Sequence, residues 1–380
     1  GMATKYMEAV CAIEYRIVDA TRGNVGGPMY YLKYGVGIYF PRLGAILAGC
    51  FAVCGACAAF GIGNAVQIHS IADGLHRAFL VPTLLTGCVV SGLVGVVIIG
   101  GVRRVGEVAG AIVPTMIGVY LVAGLGVLIA NISQIPSAFM LIITHAFTPT
   151  AAVGGFSGAA VMVAMRYGVS RGVFSNESGL GSAAIAHGAS DNTDSVKQGL
   201  VAMLGTGIDT LIVCTMTALC ILISGKWMEG LSGVSLTSAA FNMGLGIGNV
   251  GQMMVAIVLT VFAFTTLLGW SYYGEKCCEY VCGSRVVGLY RVAWVAMIVL
   301  FSQFKIDVVW NVADTLNGAM AIPNMIGLLI LGPSVFRLTR RYFIEKPTVV
   351  ASDVSVQVDA PVSAPSRRDA RQLSQNSPTD

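Results

Sequence analysis

Long apolar stretches separated by short polar segments run through most of the chain. A helix needs about 20 apolar residues to cross the hydrocarbon core of a bilayer, so the pattern predicts eight membrane-spanning segments. They lie near residues 43–70, 80–101, 109–131, 152–188, 198–223, 250–273, 287–304 and 308–337. We expect the last of them to be kinked at Pro323, because proline removes a helix hydrogen bond.

The remaining segments are shorter or more polar. Residues 1–16 have the pattern of the end of a helix whose beginning is missing, and residues 134–150 suit a segment at the membrane interface. Polar residues predict loops over 17–42 and 225–249. From residue 346 the sequence is rich in Ser, Pro, Val, Asp and Arg without periodicity, which predicts a disordered tail.

The segment near 152–188 is apolar at both ends and polar in the middle. Its centre reads Arg171-Gly-Val-Phe-Ser-Asn-Glu-Ser-Gly-Leu-Gly-Ser-Ala-Ala-Ile-Ala-His187. Glycine allows the chain to leave helical geometry, and freed backbone groups at membrane depth must face protein or a water-filled cavity. We therefore predict a broken helix between Phe174 and Ser182 whose peptide groups bind a small ion or zwitterion. A polar connecting loop between two helices is the alternative interpretation.

Composition supports a helical membrane protein. Hydrophobic residues make up 55% and charged residues 11% of the chain, whereas a soluble domain has about 25% charged residues. The net charge of +4 gives no reason to expect a nucleic acid partner. The sequence contains no metal-ligand cluster, catalytic set or phosphate-binding loop, so we expect neither an enzyme nor a cofactor. Cys54 and Cys57 have a redox spacing but lie in a predicted span, where free cysteines behave as small hydrophobic residues.

Positive charges in the loops predict the orientation in the membrane. Alternate loops contain most of the Lys and Arg residues, beginning with Arg16, Arg22, Lys33 and Arg42. Such loops face the cytoplasm. The carboxyl terminus is then also cytoplasmic, and we predict a multi-pass protein of the bacterial plasma (inner) membrane.

Several polar side chains fall inside predicted spans, where they usually face a pathway. Thr266 and Trp270 are four residues apart and share a helix face. Neighbouring threonines offer oxygens to Na⁺, although their hydroxyls can instead bond back to their own helix, and Trp270 can serve as core packing or as an interfacial anchor. Asn64, Gln67 and Asp209 are further polar residues inside spans. Asp314 and Asn317 could serve a capping or interfacial role or take part in gating, and Arg166 and Arg171 could pair with Glu177 or reach lipid headgroups.

Several motifs occur together in an order that resembles one transporter family. The interrupted segment closely resembles the signature of the alanine or glycine:cation symporter (sodium:alanine symporter) family. Matching motifs are Gly1-Met-Ala-Thr-Lys-Tyr, Gly27-Pro-Met-Tyr-Tyr-Leu, Gly61-Ile-Gly-Asn-Ala-Val-Gln, Gln198-Gly-Leu, Ile208-Asp-Thr, Gly269-Trp-Ser-Tyr-Tyr-Gly-Glu-Lys276 and Met320-Ala-Ile-Pro-Asn324. The resemblance extends to about residue 346, which predicts a transporter domain over 1–345 and a cytoplasmic tail over 346–380.

The resemblance implies uptake of alanine or glycine coupled to Na⁺ or H⁺ by alternating access. It implies an all-α, leucine-transporter-like fold with inverted repeats. By position, the residues expected to bind the amino acid are Gln67, Phe174, Asn176, Ser178, Gly179, Thr266 and Trp270. Thr265 and Thr266 are expected to bind sodium, with Asp209 as a further candidate. Ser178 departs from the family, which usually has alanine there.

A second departure concerns the start of the chain. The family has a first core helix broken at a Gly-Thr-Gly-Asn motif, and that motif does not occur here. The expectation is a fold lacking core helix 1 and most of core helix 2, and a chain that is inactive as it stands. A pore that conducts amino acids or ions without coupling remains as the alternative function.

Overall fold

The computed structural model describes residues 1–19, 23–147, 157–231, 233–246, 248–304 and 306–345. The predicted tail, residues 346–380, lies outside the described residues. The chain forms two units, Gly1–Thr339 and Arg340–Asp380. The second unit is described only for residues 340–345, where the last helix ends, so the predicted domain boundary stays a prediction.

Helices dominate the described residues. In chain order they are α1 Met2–Glu14, α2 Pro28–Tyr30, α3 Gly37–Tyr39, α4 Pro41–Ala58, α5 Val66–Phe79, α6 Thr83–Ile99, α7 Gly101–Ala130, α8 Ile135–Phe147, α9 Ser157–Asn176, α10 Ser182–Gly188, α11 Ser195–Gly207, α12 Thr215–Ser224, α13 Gly233–Leu245, α14 Val250–Cys282, α15 Val287–Phe301 and α16 Ile306–Glu345. Short 3₁₀ turns occupy Ile132–Gln134, Lys226–Glu229 and Ser284–Val286. The predicted all-α class is therefore confirmed, whereas the leucine-transporter-like arrangement stays a prediction.

Three π-helical segments, Tyr31–Val36, Ala59–Ala65 and Ile208–Cys214, join helices on either side of them. These π-helical turns are rare in proteins overall, but a large share of those that occur lie at functional sites. Ala59–Ala65 connects α4 to α5, and Ile208–Cys214 connects α11 to α12. Each connection makes one continuous helical run out of two shorter helices.

Among the described residues, six helical runs are long and apolar enough to cross a membrane. They are Pro41–Phe79, Gly101–Ala130, Ser195–Ser224, Val250–Cys282, Ser284–Phe301 and Ala313–Ile344. The apolar helix α6 is shorter, with 17 residues. These lengths and compositions define a multi-pass helical membrane protein.

Three sequence predictions need correction. Residues 17–42 were expected to be a loop, but they contain an antiparallel hairpin, β1 Ile17–Asp19 and β2 Gly23–Val25, and the helical turns up to Tyr39. The predicted loop over 225–249 contains α13, whose polar residues and glycines hid a buried face that includes Phe241. The span predicted to end near residue 273 continues to Cys282, because Glu275 and Lys276 are buried by neighbouring helices rather than exposed.

The helix α14 lies at the centre of the packing. It contacts α4, α5, α7 and α13, and it carries Trp270. The last helix, α16, continues through Pro323 and Pro333. Proline is tolerated inside membrane helices because neighbouring groups satisfy the freed backbone. These two helices flank the interrupted segment that joins α9 to α10.

Candidate functional site

The chain leaves helical geometry between α9 and α10, as the sequence predicts. The last residue of α9 is Asn176 and the first of α10 is Ser182. Between them Glu177, Gly179 and Gly181 have left-handed backbones, with φ of 51°, 89° and 83°. We call residues 177–181 the helix break. The second half of the break, Gly179 to Gly181, is buried, which favours a break inside the protein over the alternative of a polar connecting loop.

Packing leaves no room for a side chain at Gly181. A Cβ atom there would lie 2.5 Å from Pro28 Cγ and 2.8 Å from Phe51 Cε2. Glycine also adopts the positive φ without the steric penalty of other residues. Glycine at position 181 is therefore required both by the backbone conformation and by the packing.

A buried carboxylate binds the amides of the break. The N–H groups of Gly179 and Gly181 donate to Glu8 Oε1 at 2.9 and 3.0 Å. Asn324 Nδ2 donates to the same oxygen at 2.7 Å and to Gly179 O at 2.8 Å, and Tyr31 donates its hydroxyl to Asn324 Oδ1. Two of the amides expected to bind a ligand are thus already paired within the protein.

A second group of side chains surrounds Glu177. Trp270 Nε1 donates to Glu177 Oε1 at 2.9 Å, and Ser182 Oγ donates to Oε2 at 2.8 Å. The suggested ion pair between Arg171 and Glu177 is wrong, because Arg171 instead forms its ion pair with Asp314 of α16. Burial of Trp270, which is 2% exposed, makes it part of the core beside the break.

The larger of two cavities at the break has a volume of about 1010 Å³. At the break it is lined by Glu177, Thr265, Thr266 and Trp270. At other points it is lined by the hairpin and loop residues Gly23, Asn24, Ser190 and Asp191, and by the first part of α7, which includes Arg103 and Gly106. The cavity therefore links the break to segments outside the membrane-spanning helices.

The smaller cavity has a volume of about 440 Å³ and includes Asn176, Ser178 and Gly179 in its lining. The rest of the wall consists of Gly1 and Thr4, of Val169, Gly172 and Val173 in α9, and of Ala321 and Met325 in α16. The hydroxyl of Ser178 is buried and has no hydrogen-bond partner among the described residues. The residue lines this cavity, but its hydroxyl oxygen has almost no accessible surface, so a ligand reaches it only after a small movement of the neighbouring groups.

The structure brings the predicted site residues together only in part. Thr265, Thr266 and Trp270 line the larger cavity and Asn176, Ser178 and Gly179 the smaller one. The other three predicted residues line neither cavity: Gln67, Phe174 and Asp209.

Those three residues have partners of their own. Gln67 Nε2 donates to Ile62 O at 3.1 Å, and the Phe174 ring lies 5.6 Å from the Arg171 guanidinium carbon. Asp209 Oδ2 accepts a hydrogen bond of 2.8 Å from Ser175. Asp209 therefore contacts α9 next to the break, which is close to the site but outside both cavities.

The hydroxyls of Thr265 and Thr266 bond to their own helix, which was the alternative to binding Na⁺ expected from the sequence. Thr265 and Thr266 donate their hydroxyls to Phe262 O at 2.9 and 3.0 Å. Each hydroxyl oxygen retains acceptor capacity, so this bonding leaves the oxygens able to face a cation. Within the described ranges, no group of three His, Cys, Asp or Glu residues is placed to hold a metal ion.

Sequence reasoning missed Glu8 and the roles of Asn324 and Tyr31. The available signal was a glutamate followed by Ala9, Val10, Cys11 and Ala12, all of which are buried. A carboxylate within such a run needs a buried partner, because an unpaired charge is costly away from water.

A buried helix break beside cavities, within a bundle of membrane-spanning helices, is typical of secondary transporters. The chain belongs to the sodium:alanine symporter family, whose sequence model matches residues 1–354. Membership identifies it as a transporter rather than an enzyme, and it confirms the family predicted from the sequence motifs.

Three relatives illustrate the similarity. The chain is 47% identical over 346 residues to the sodium/alanine symporter AgcS of Methanococcus maripaludis, covering 90% of this chain and 74% of the relative. It is 44% identical over 345 residues to an uncharacterized transporter of Haemophilus influenzae, with the same coverage of 90% and 74%. It is 35% identical over 344 residues to the amino-acid carrier protein AlsT of Bacillus subtilis, covering 90% and 71%. The comparisons do not support the predicted truncation or the inactivity inferred from it.

Proposed function

We propose that the protein takes up alanine, and also glycine, together with Na⁺. The observation that carries this proposal is the buried helix break next to two cavities, in a chain 47% identical to a sodium/alanine symporter. Small neutral amino acids match a site built from glycine, serine and amide groups. H⁺ is the second candidate for the coupling ion.

The amino-acid site is proposed to lie at the break, with Ser178 and Asn176 as its polar contacts. Both residues line the smaller cavity, and the buried Ser178 hydroxyl has no hydrogen-bond partner among the described residues, which supports this placement. Trp270 and Thr266 approach the break from the larger cavity. Of the other residues assigned by resemblance, Gly179 belongs to the smaller cavity, and Gln67 and Phe174 require rearrangement to reach a ligand.

We place the sodium ion at Thr265 and Thr266. Both residues line the larger cavity, and Glu177, which lines it too, supplies the negative charge of its carboxylate. Oxygen ligands suit a hard cation such as Na⁺. Asp209 is the alternative ion site, although its carboxylate already accepts a hydrogen bond from Ser175.

We propose alternating access, with this structure open towards the cytoplasm. The larger cavity extends to Gly23 and Asn24 of the hairpin and to Arg103 in the first turn of α7, a region that positive charge assigns to the cytoplasmic side. At α9, Arg171 forms an ion pair with Asp314 of α16, and their side chains are 38% and 35% exposed. A partly exposed ion pair is worth little, so it can open at small cost in the outward-facing state. The same orientation places the carboxyl terminus in the cytoplasm.

Uptake driven by an ion gradient tests the proposed function. We expect purified protein in liposomes to accumulate [¹⁴C]alanine several-fold above the external concentration when Na⁺ is high outside, because coupled influx of Na⁺ supplies the free energy. Filtration assays with and without the Na⁺ gradient measure this, with empty liposomes as the control. Equilibration without accumulation would establish the pore instead, and accumulation driven only by a pH gradient would assign H⁺ as the coupling ion.

Replacing Trp270 by phenylalanine is expected to raise the half-saturating alanine concentration about 10-fold. The variant retains an aromatic ring but removes the hydrogen bond to Glu177, and loss of a partner to a charged group costs about 1–3 kcal/mol. Concentration series of uptake measure the change. Trp227→Phe is the matched control, since Trp227 is 42% exposed in a turn away from the break; equal values for both variants would contradict the role of Trp270.

A further inference from the structure

Helix α1 contacts both sides of the helix break through two side chains one turn apart. Lys5 Nζ donates to Asn176 O, at the end of α9, at 2.9 Å. Glu8 Oε1 accepts from the amides of Gly179 and Gly181. Lys5 is 8% and Glu8 0% exposed, so both interactions are shielded from water.

The charges of the two side chains suit the groups that they bind. The carboxyl end of the 20-residue helix α9 has partial negative charge, which favours a cation such as Lys5. The carboxylate of Glu8 forms charge-assisted hydrogen bonds with two backbone amides, and such bonds are about twice as strong as neutral ones. Lys5 and Glu8 also balance each other's charge within the buried region.

Helix α16 restrains the same groups from another direction. Asn324 donates to Glu8 Oε1 and to Gly179 O, and Tyr31 orients Asn324 through its hydroxyl. Every hydrogen bond of the Glu8 carboxylate within the described residues is to Oε1, while Oε2 is buried without a partner. The carboxylate is therefore held at one oxygen by three donors from the break and from α16.

This bonding determines which groups of the break remain for a ligand. The amides of Gly179 and Gly181 are occupied, whereas the hydroxyl of Ser178 is unpartnered. We propose that Lys5 and Glu8 are positioning residues that hold the helix break in the shape that places Ser178 in the wall of the smaller cavity. A bound amino acid then contacts side chains around Ser178 rather than the amides of Gly179 and Gly181. The ligand part of this proposal rests on the proposed function, and the positioning part does not.

Hydrogen–deuterium exchange of the break tests the positioning part without transport. In the wild type we expect slow exchange in peptides covering residues 177–185. Glu8→Gln retains an acceptor but removes its charge, so exchange there should be about 10-fold faster. Glu8→Met has no acceptor, and a larger increase is expected. Peptides from α7 should be unchanged in both variants, which shows that the fold persists.

Glu14→Gln is the matched control, because Glu14 lies in the same helix but is exposed. Equal exchange of the break in the wild type, Glu8→Gln and Glu14→Gln overturns the positioning role. Should Glu8→Met fail to fold, Glu8→Gln and Lys5→Met decide the question. We expect Lys5→Met to speed exchange of the break, and the Lys5→Met/Glu8→Gln double variant to be less affected than the sum of both, because it restores charge balance. If the two substitutions change the exchange rate of the break additively, Lys5 and Glu8 do not balance each other's charge.

Uptake measurements test the ligand part. We expect Glu8→Gln to raise the half-saturating alanine concentration about 10-fold while the maximal rate changes less than twofold. An unchanged value together with faster exchange overturns the link between break shape and ligand binding. If the wild type shows no ion-driven uptake at all, the proposed function fails, and the exchange result still decides the positioning role.

Discussion

Replacing Gly181 by alanine is expected to abolish uptake and to remove most of the folded protein. The residue has φ of 83°, a conformation that costs a non-glycine residue about 1–2 kcal/mol. A Cβ atom would also lie 2.5 Å from Pro28 Cγ, 2.8 Å from Phe51 Cε2 and 3.1 Å from Asn324 Cγ. The proline ring is part of the backbone, and Phe51 is fully buried with neighbours on all sides, so overpacking adds about 1–3 kcal/mol.

The control for this prediction separates backbone strain from overpacking. Gly230 has a similar φ of 73°, but a Cβ atom there would meet nothing within 4 Å. Gly230→Ala should therefore lose only the strain term and keep most of its uptake. Size-exclusion chromatography and thermal unfolding in detergent measure the folded fraction of both variants. A Gly181→Ala protein as stable as Gly230→Ala would show that the break can shift to accept a side chain.

Replacing Gly63 by alanine is expected to reduce uptake at least 10-fold. The π-helical segment Ala59–Ala65 brings Gly63 against α14, where a Cβ atom would lie 2.2 Å from Trp270 Cβ and 2.6 Å from Cγ. Those atoms are close to the α14 backbone and cannot rotate away, so the helices must separate or the indole must move. Movement of the indole breaks its hydrogen bond to Glu177, which couples this packing contact to the break.

Gly49→Ala in the same helical run is the matched control, because a Cβ atom at Gly49 meets nothing within 4 Å. Alanine is also the better helix former, so this control should be at least as stable as the wild type. Tryptophan fluorescence gives a second measurement, since displacement of Trp270 should change the emission of Gly63→Ala and not that of Gly49→Ala. Equal uptake by both variants would contradict the packing argument.

The sequence was sufficient to predict the helical class and the position of the break. Hydrophobic stretches define the spans through local composition, and the glycines at 179 and 181 mark backbone that leaves the helix. The end of α14 and the helix α13 were predicted wrongly, because burial by neighbouring helices overrides local polarity at Glu275 and Lys276. Local patterns do not contain that information.

The partners of the break could not be predicted for a different reason. The sequence suggested Glu177 or lipid headgroups as the partner of Arg171. Its ion pair is instead with Asp314, which lies 143 positions away in the chain. Glu8 likewise bonds residues far along the chain. Hydrophobic periodicity shows which face of a helix is buried but not which helix covers it. The sequence therefore shows the charged and polar residues that bond the break, but only the structure shows which of them are in contact.

The hydrogen bond between Glu8 and Asn324 joins residues 316 positions apart. A ribosome translates α1 long before α16, so this contact can form only after all of the helices between them have been synthesised. Until then, the amides of Gly179 and Gly181 can be bonded by Glu8 but lack the Asn324 bridge to α16. Completion of the break is consequently a late step of biogenesis, and nascent chains that stop before residue 324 contain its glycines without its full set of contacts.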